Sequence, residues 1–222
     1  MFTVDCHTHT RFFHALRGRP TPYDPLGAEL LARVARRRDV DGVVLTNHDY
    51  YRSFDPGPDR PRLIPGIEVS TTAGHVLVIG PDPPARTPPG ELTPAEVVSL
   101  AHDRGCVAVI AHPYRNSTVG DDPAPFDAVE INGKHPQGAG RVRELAADRD
   151  LPVVGGSDAH LPLAVGRAVT RVDADALTPE SVVAAVRDGR VEPAVRTDHS
   201  QRLLQRGYRY LHRYRRHRRP EE

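Results

Sequence analysis

Short apolar runs punctuate this chain, and most of them deliver an imidazole or a carboxylate at or near one end. Phe2–Cys6 leads into His7-Thr8-His9, and Gly42–Leu45 leads into Thr46-Asn47-His48-Asp49. Leu63–Val69 encloses Glu68, and His75 opens the run His75–Ile79. Val107–Ile110 leads into Ala111-His112-Pro113, and Val153–Gly155 into Gly156-Ser157-Asp158-Ala159-His160. Runs this short and this uniformly apolar read as buried strands. Ala128–Ile131 and Ala168–Val172 add two more. Helical patterns fall between several of them, at Leu26–Arg38, Thr93–Arg104, Gly138–Asp148 and Pro179–Asp188. Thr93-Pro94-Ala95-Glu96 has the spacing of a capping box with proline in the first helical position. Strands alternating with helices predict an α/β domain built on a parallel sheet with helices outside. In closed sheets of that kind, reactive side chains gather at the carboxyl ends of the strands.

The 222 residues suffice for one large domain, expected over residues 1–196. With no Trp and only 5% aromatic residues, the core must be aliphatic. A net charge of +1 favours neither acidic nor basic partners for the chain as a whole. Cys6 and Cys106 are too few for a disulfide framework and read as buried thiols. The opening MFTVDCHTHT lacks a basic stretch followed by an apolar one, so no signal peptide is expected. No apolar run approaches the roughly 18 residues that span a bilayer, and the expectation is a soluble, cytoplasmic protein. Two segments rich in Pro, Gly and Asp, Asp55–Arg62 and Pro81–Gly90, read as loops bordering the ligand-bearing ends. After Arg196 the composition changes. Residues 197–222 are arginine-rich, with Leu203, Leu204, Tyr208 and Leu211 at helical spacing, and predict a basic amphipathic helix.

In a strand, residues two apart share a face, so His7 and His9 can reach one cation, as can Asp158 and His160. Asp5, on the same face, is placed to orient a ligand from behind. Glu68 is more telling, because a charge inside an apolar strand needs a partner. A carboxylate bridging two cations is one solution and an ion pair with arginine is another. Singly, each residue has an ordinary structural explanation. Together, His7, His9, His14, His48, Glu68, His75, His112, Asp158 and His160 predict a pocket for two or three divalent ions. Nitrogen and oxygen donors of this kind suit Zn, Mn or Fe. Arg11, Arg115 and Arg167 follow ligand motifs on loops at the same face, and a guanidinium fork suits phosphate. Asn132 and Lys134, the latter the only lysine in the chain, sit at a strand end in Glu130-Ile131-Asn132-Gly133-Lys134 and complete the candidate lining.

The His-x-His opening, Thr-Asn-His-Asp, Gly-Ile-Glu, Ala-His-Pro and the closing Ser-Asp-Ala-His resemble the PHP (polymerase and histidinol phosphatase) family over roughly residues 1–172. The resemblance implies a distorted (β/α)7 barrel with a di- or trinuclear metal centre at its carboxyl-end face. It implies that His7, His9, Glu68 and Asp158 hold one metal, and that Glu68 bridges to a second held also by His75 and His112. His14, His48 and His160 would hold a third. Many family members have Asp where this chain has His14, and Thr-Asp-His where it has Thr-Asn-His. The expected ligand set is nevertheless complete.

The resemblance implies phosphate-ester hydrolysis. Water held between two metals would attack phosphorus in line, with Asp158 at the centre and His160 or His48 stabilising or protonating the leaving group. A small phosphomonoester, as in histidinol phosphatases, is the first expectation. Nucleotide or short nucleic-acid phosphodiesters are the second, because the arginine-rich tail would supply salt-sensitive phosphate contacts. A non-catalytic, metal-stabilised accessory module is a third. Amide hydrolysis over a carboxylated Lys134 is the last.

Overall fold

The computed structural model describes residues 1–11, 20–55, 57, 61–115 and 117–196. The expected basic helix at 197–222 and the expected ligand His14 lie outside the described residues. Nine strands form one sheet: β1 (Phe2–Thr8), β2 (Gly42–Leu45), β3 (Arg62–Ser70), β4 (His75–Ile79), β5 (Val107–Ile110), β6 (Ala128–Asn132), β7 (Val153–Gly156), β8 (Ala168–Val172) and β9 (Val191–Val195). Their order is β7-β6-β5-β4-β3-β2-β1-β8-β9. The described helices are α1 (Asp24–Arg37), α2 (Pro94–Asp103), α3 (Ala139–Asp148) and α4 (Pro179–Arg187), with three single turns of 3-10 helix.

The expected (β/α)7 barrel is corrected to a mixed, nearly closed sheet. β1, β2 and β3 run parallel, as do β5, β6 and β7. β4 is antiparallel to both of its neighbours, and β8 is antiparallel to β1 and β9. For β3 and β4 the reason is connection length. Residues 71–74 are too few for a crossover helix, so β3 and β4 must form a hairpin. Thr71 closes that turn, its N–H and hydroxyl both donating to the Gly74 carbonyl at 2.8 and 2.7 Å. Gly74 has φ 143°, and a Cβ there would also strike the Ser117 hydroxyl. The ninth strand was not expected, because Pro193 sits in its middle. β9 has only β8 as a ladder partner, and an edge strand tolerates a residue without an N–H donor.

The sheet curls until β7 packs on β1 and β8. Gly155 and Gly156 allow this approach. A Cβ at Gly155 would come within 2.4 Å of the Val169 carbonyl oxygen, and one at Gly156 within 2.5 Å of both His7 and Glu130. Beyond β7 the chain runs alongside β1, with His9 N–H donating to the Ala159 carbonyl at 3.0 Å and Ala159 N–H to that of His7 at 3.3 Å. One end of the barrel is filled by aliphatic side chains including Val4, Leu77, Ile79, Val107 and Val172, against Val182, Val183 and Val186 of α4. α2 and α3 pack on the outside over Ile67, Val78, Ile110 and Ile131, and α1 packs through Leu31 and Ala35 on Val43 and Leu45. Cys6 and Cys106 are buried free thiols, as expected. α2 carries the expected capping box, with Thr93 and Glu96 each accepting from the other's N–H.

Candidate metal centre

The opposite end of the barrel is polar. His7 and His9 project from the end of β1 while Thr8, between them, turns to the other side and donates its hydroxyl to the Val44 carbonyl at 2.7 Å. Past β2, Glu68 N–H donates to the Asn47 carbonyl at 3.2 Å and Asp49 N–H to that of Glu68 at 2.9 Å. This pairing sets His48 beside Glu68. Register in the hairpin then places His75 opposite Ser70, two residues beyond Glu68. Three residues at these strand ends, Asp49, His112 and Asp158, adopt φ of 58°, 29° and 50°. Non-glycine residues rarely adopt such values, and they concentrate where side chains must be re-aimed at a functional site. The Asp49 carboxylate holds its own turn by accepting from Ser70 N–H at 2.8 Å and from the hydroxyls of Ser70 and Thr87 at 2.8 and 3.2 Å. Thr87 belongs to the 81–90 segment, which therefore borders this end, as expected of a loop that follows a ligand-bearing strand.

Glu68 is fully buried and carries five histidines on its two oxygens. Its Oε2 lies 3.2 Å from His7 Nε2, 3.4 Å from His9 Nε2 and 3.1 Å from His48 Nδ1. Its Oε1 lies 2.8 Å from His75 Nδ1 and 3.0 Å from His112 Nε2. The second carboxylate has different company. Asp158 Oδ1 is 2.6 Å from Lys134 Nζ and 3.0 Å from His160 Nδ1, and Oδ2 is 3.2 Å from Arg115 Nη1. The Lys134 ammonium is also 2.7 Å from His160 Nδ1. His9 joins the halves, its Nε2 lying 3.5 Å from Asp158 Oδ1 and its ring centroid 4.0 Å from that of His160.

Burial alone would raise Glu68, yet His48, His7 and His75 hold it well below the usual carboxylate range. Asp158 is likewise held low against burial by Lys134 and His7. Burial pushes His48 down to about 3, and burial with the neighbouring His160 and His48 keeps His9 well below its ordinary value. Glu68 and Asp158 are thus ionised and the His9 and His48 rings neutral, the forms that bind cations. His7 Nε2, His9 Nε2 and Glu68 Oε2 are buried without a hydrogen-bond partner. Ligand atoms of these three residues lie within 4.8 Å of one another, as do those of His48, Glu68 and His75, and of His9, His48 and His160. Orphaned donors converging in this way fit divalent cations coordinated by nitrogen and oxygen.

Residues 139–191 match a family model described as PHP-associated. That segment contains Asp158 and His160. No curated protein matches the chain by sequence. Among solved structures, PsfC from Pseudomonas syringae PB-5123 superposes with a TM-score of 0.70 at 18% identity, over 94% of this chain and 98% of its own. A two-domain protein from Bacteroides vulgatus ATCC 8482, containing a predicted PHP-like metal-dependent phosphoesterase, gives a TM-score of 0.57 at 19% identity over 87% of this chain and 64% of its own. Endonuclease Q, in complex with a 27-mer duplex bearing an abasic lesion at the active site, gives 0.61 at 18% identity over 84% of this chain and 56% of its own. The chain has the PHP-domain fold.

Eight of the nine expected ligands meet at one end of this barrel; the ninth, His14, is outside the described residues. Arg115 reaches Asp158 directly. Lys134 reaches both Asp158 and His160. Asn132 spends its amide on the site's rear wall, donating to Glu130 at 3.3 Å and accepting from Lys134 N–H at 2.9 Å. Arg167 begins beside Gly133, and Arg11 lies at the rim with its guanidinium 5.9 Å from the Tyr50 ring centroid. Asp5 acts through the backbone, accepting from the N–H groups of His7, Ser157 and Gly166 at 3.3, 2.8 and 2.7 Å. The residue that sequence reasoning missed is Glu130. It is fully buried in β6, lies 2.9 Å from His7 Nδ1 and accepts from His112 N–H at 2.9 Å. The signal was present: a carboxylate within the apolar run Ala128–Ile131, the same anomaly as Glu68.

Among the described residues, no helix is long and apolar enough to cross a membrane.

Proposed function

We propose that this PHP domain is a metal-dependent phosphoesterase acting on small phosphomonoesters. The observation that carries the reading is the pairing of a buried carboxylate collared by five imidazoles with a second carboxylate that faces Lys134 and Arg115. In this reading His7, His9, His48, Glu68, His75, His112, Asp158 and His160 hold two or three divalent cations. Such cations acidify a water molecule and offset the charge of the phosphoryl oxygens when bound. The chain's own groups supply the rest. Glu130 fixes the His7 ring by accepting a hydrogen bond from its Nδ1–H, leaving the Nε2 lone pair for a cation. Lys134 and Arg115 neutralise Asp158 and give the substrate phosphate directional donors. His160 would stabilise the departing oxygen. Arg167 and Arg11 serve at the margin.

A phosphodiester substrate is the second reading. It is favoured by the shared fold of endonuclease Q and by the arginine-rich stretch 198–222, whose charge suits nucleic-acid phosphates. The test is release of inorganic phosphate by Mn-loaded protein from a panel of phosphomonoesters including histidinol phosphate, run beside cleavage of bis(p-nitrophenyl) phosphate. Phosphate release from a monoester supports the first reading. Cleavage of the diester alone replaces it with the second. Inertness toward both, in protein with its metals measured, removes the enzymatic reading.

A further inference from the structure

Beside the metal centre lies a cleft of ≈ 420 Å³ between the chain that follows β5 and the start of α3. Its inner wall includes His112 and Glu130, so a phosphate seated at the centre would have its remaining half in this space. Besides His112, the cleft is lined by the His135 imidazole and two guanidiniums, those of Arg115 and Arg141. Glu130 is the one acid in the lining, and its oxygens are taken up by the His7 ring, His112 N–H and the Asn132 amide. Arg141 is held in place, with its guanidinium 3.8 Å from the Tyr114 ring centroid and the Tyr114 hydroxyl donating to the Arg141 carbonyl at 2.9 Å. A cation stacked on an aromatic face loses less freedom when it meets a ligand than one on a loose surface side chain. α3 also opens on this cleft. Gly138 and Ala139 line it, no side chain caps the helix and its first turn holds no acid, so the helix adds positive potential there.

We propose that this cleft receives the alcohol side of the ester and selects alcohols that carry a second anionic group, a carboxylate or a second phosphate. The inference rests on the phosphoesterase reading and narrows its substrate class. It also turns the expectation away from histidinol phosphate, because an alcohol bearing an ammonium would meet the guanidiniums of Arg115 and Arg141.

A two-carbon series tests it: ethyl phosphate, 2-phosphoglycolate, ethylene glycol bisphosphate and O-phosphoethanolamine, with the Mn-loaded full chain. The expected kcat/KM is about tenfold higher for the carboxylate or the bisphosphate than for ethyl phosphate, one charge-assisted contact's worth. Phosphoethanolamine is expected to be the poorest of the four. Whichever of the two anionic compounds leads names the second group. Arg141→Gln should bring the ratio of 2-phosphoglycolate to ethyl phosphate toward one, Arg141→Lys should keep part of it, and the distant surface variant Arg171→Gln should leave it intact. Binding of two hydrolysis-resistant compounds, 3-phosphonopropanoate and propylphosphonate, separates this inference from the reading beneath it. If no ester is hydrolysed but the carboxylated phosphonate binds about tenfold tighter, and Arg141→Gln removes that preference, the subsite stands and the phosphoesterase reading fails. Equal binding of the two phosphonates by the wild-type chain, or a preference that survives in folded Arg141→Gln, overturns the subsite.

Discussion

Glu68 and Asp158 are both buried carboxylates at the same barrel end, yet their surroundings differ in kind. Glu68 is met by imidazoles alone, none of which carries an obligatory charge. Asp158 already has an ammonium and a guanidinium within 2.6 and 3.2 Å. A buried anion without a fixed cation is costly, so the Glu68 half suits a cation from solution. The Asp158 half is partly neutralised by the chain itself and presents donors outward. In the proposed reading both halves hold cations, and the difference makes the Asp158 half the one that also faces the substrate.

The largest effect should come from Glu68→Gln, which removes the charge while keeping the shape. At least one metal per chain should be lost, with activity falling roughly a thousandfold or more, about 4 kcal/mol of transition-state stabilisation. Elemental analysis of the purified variant checks this, and full metal content would erase the distinction between the halves. Acidity comes next. Burial opposes protonation of His7 and His75, but Glu130 and Glu68 around the first, and Glu68 beside the second, hold both above their ordinary range. A cation must displace those protons, so apparent metal affinity rises with pH and weakens as pH falls, roughly tenfold per unit for each proton released. His48, at about 3, and His9, lower than usual, are already neutral and release none. Chelator competition between pH 5.5 and 7.5 measures the slope, and a flat response would contradict proton displacement in the Glu68 half.

Glu130→Gln should weaken metal binding by about ten- to hundredfold, the usual cost of losing a ligand's supporting partner, with little change in melting temperature of the metal-loaded protein. Unchanged affinity would make Glu130 a packing residue only. Lys134→Met should give the smallest effect, about a tenfold rise in KM, while metal content stays whole. Loss of metal in that variant would mean that the Asp158 half is not substrate-facing after all.

Much of this was legible in the amino-acid order. Gly42–Leu45, His75–Ile79, Val107–Ile110 and Ala168–Val172 are strands with the expected bounds, and the four helices begin and end within two residues of expectation. Periodicity and capping chemistry are local, so they can be read locally. The convergence of the eight described candidate ligands was legible because each lies at or near a strand end. What escaped was set by distance or by a competing preference. Pro193 disguised β9. Strand direction depended on how the chain turns at 71–74. Tyr114 and Arg141, 27 residues apart, form their pair only once β5 and α3 are side by side. Glu130 escaped for a weaker reason, since the argument applied to Glu68 holds for it unchanged.

The closure between β1 and the chain after β7 has a consequence for how the protein assembles. Glu68 and His112 are 44 residues apart and His75 lies between them, so this part of the centre can gather early around one hairpin. His7 meets Ser157, and with it Asp158, only across 150 residues of chain. Distant pairings of this kind are slow, because loop entropy must be overcome before the contact contributes. The complete donor set therefore exists only after the chain beyond β7 has docked on β1. In a refolding experiment, uptake of the final cation would time the end of folding, and a cation added late would act as a latch on a barrel already shut.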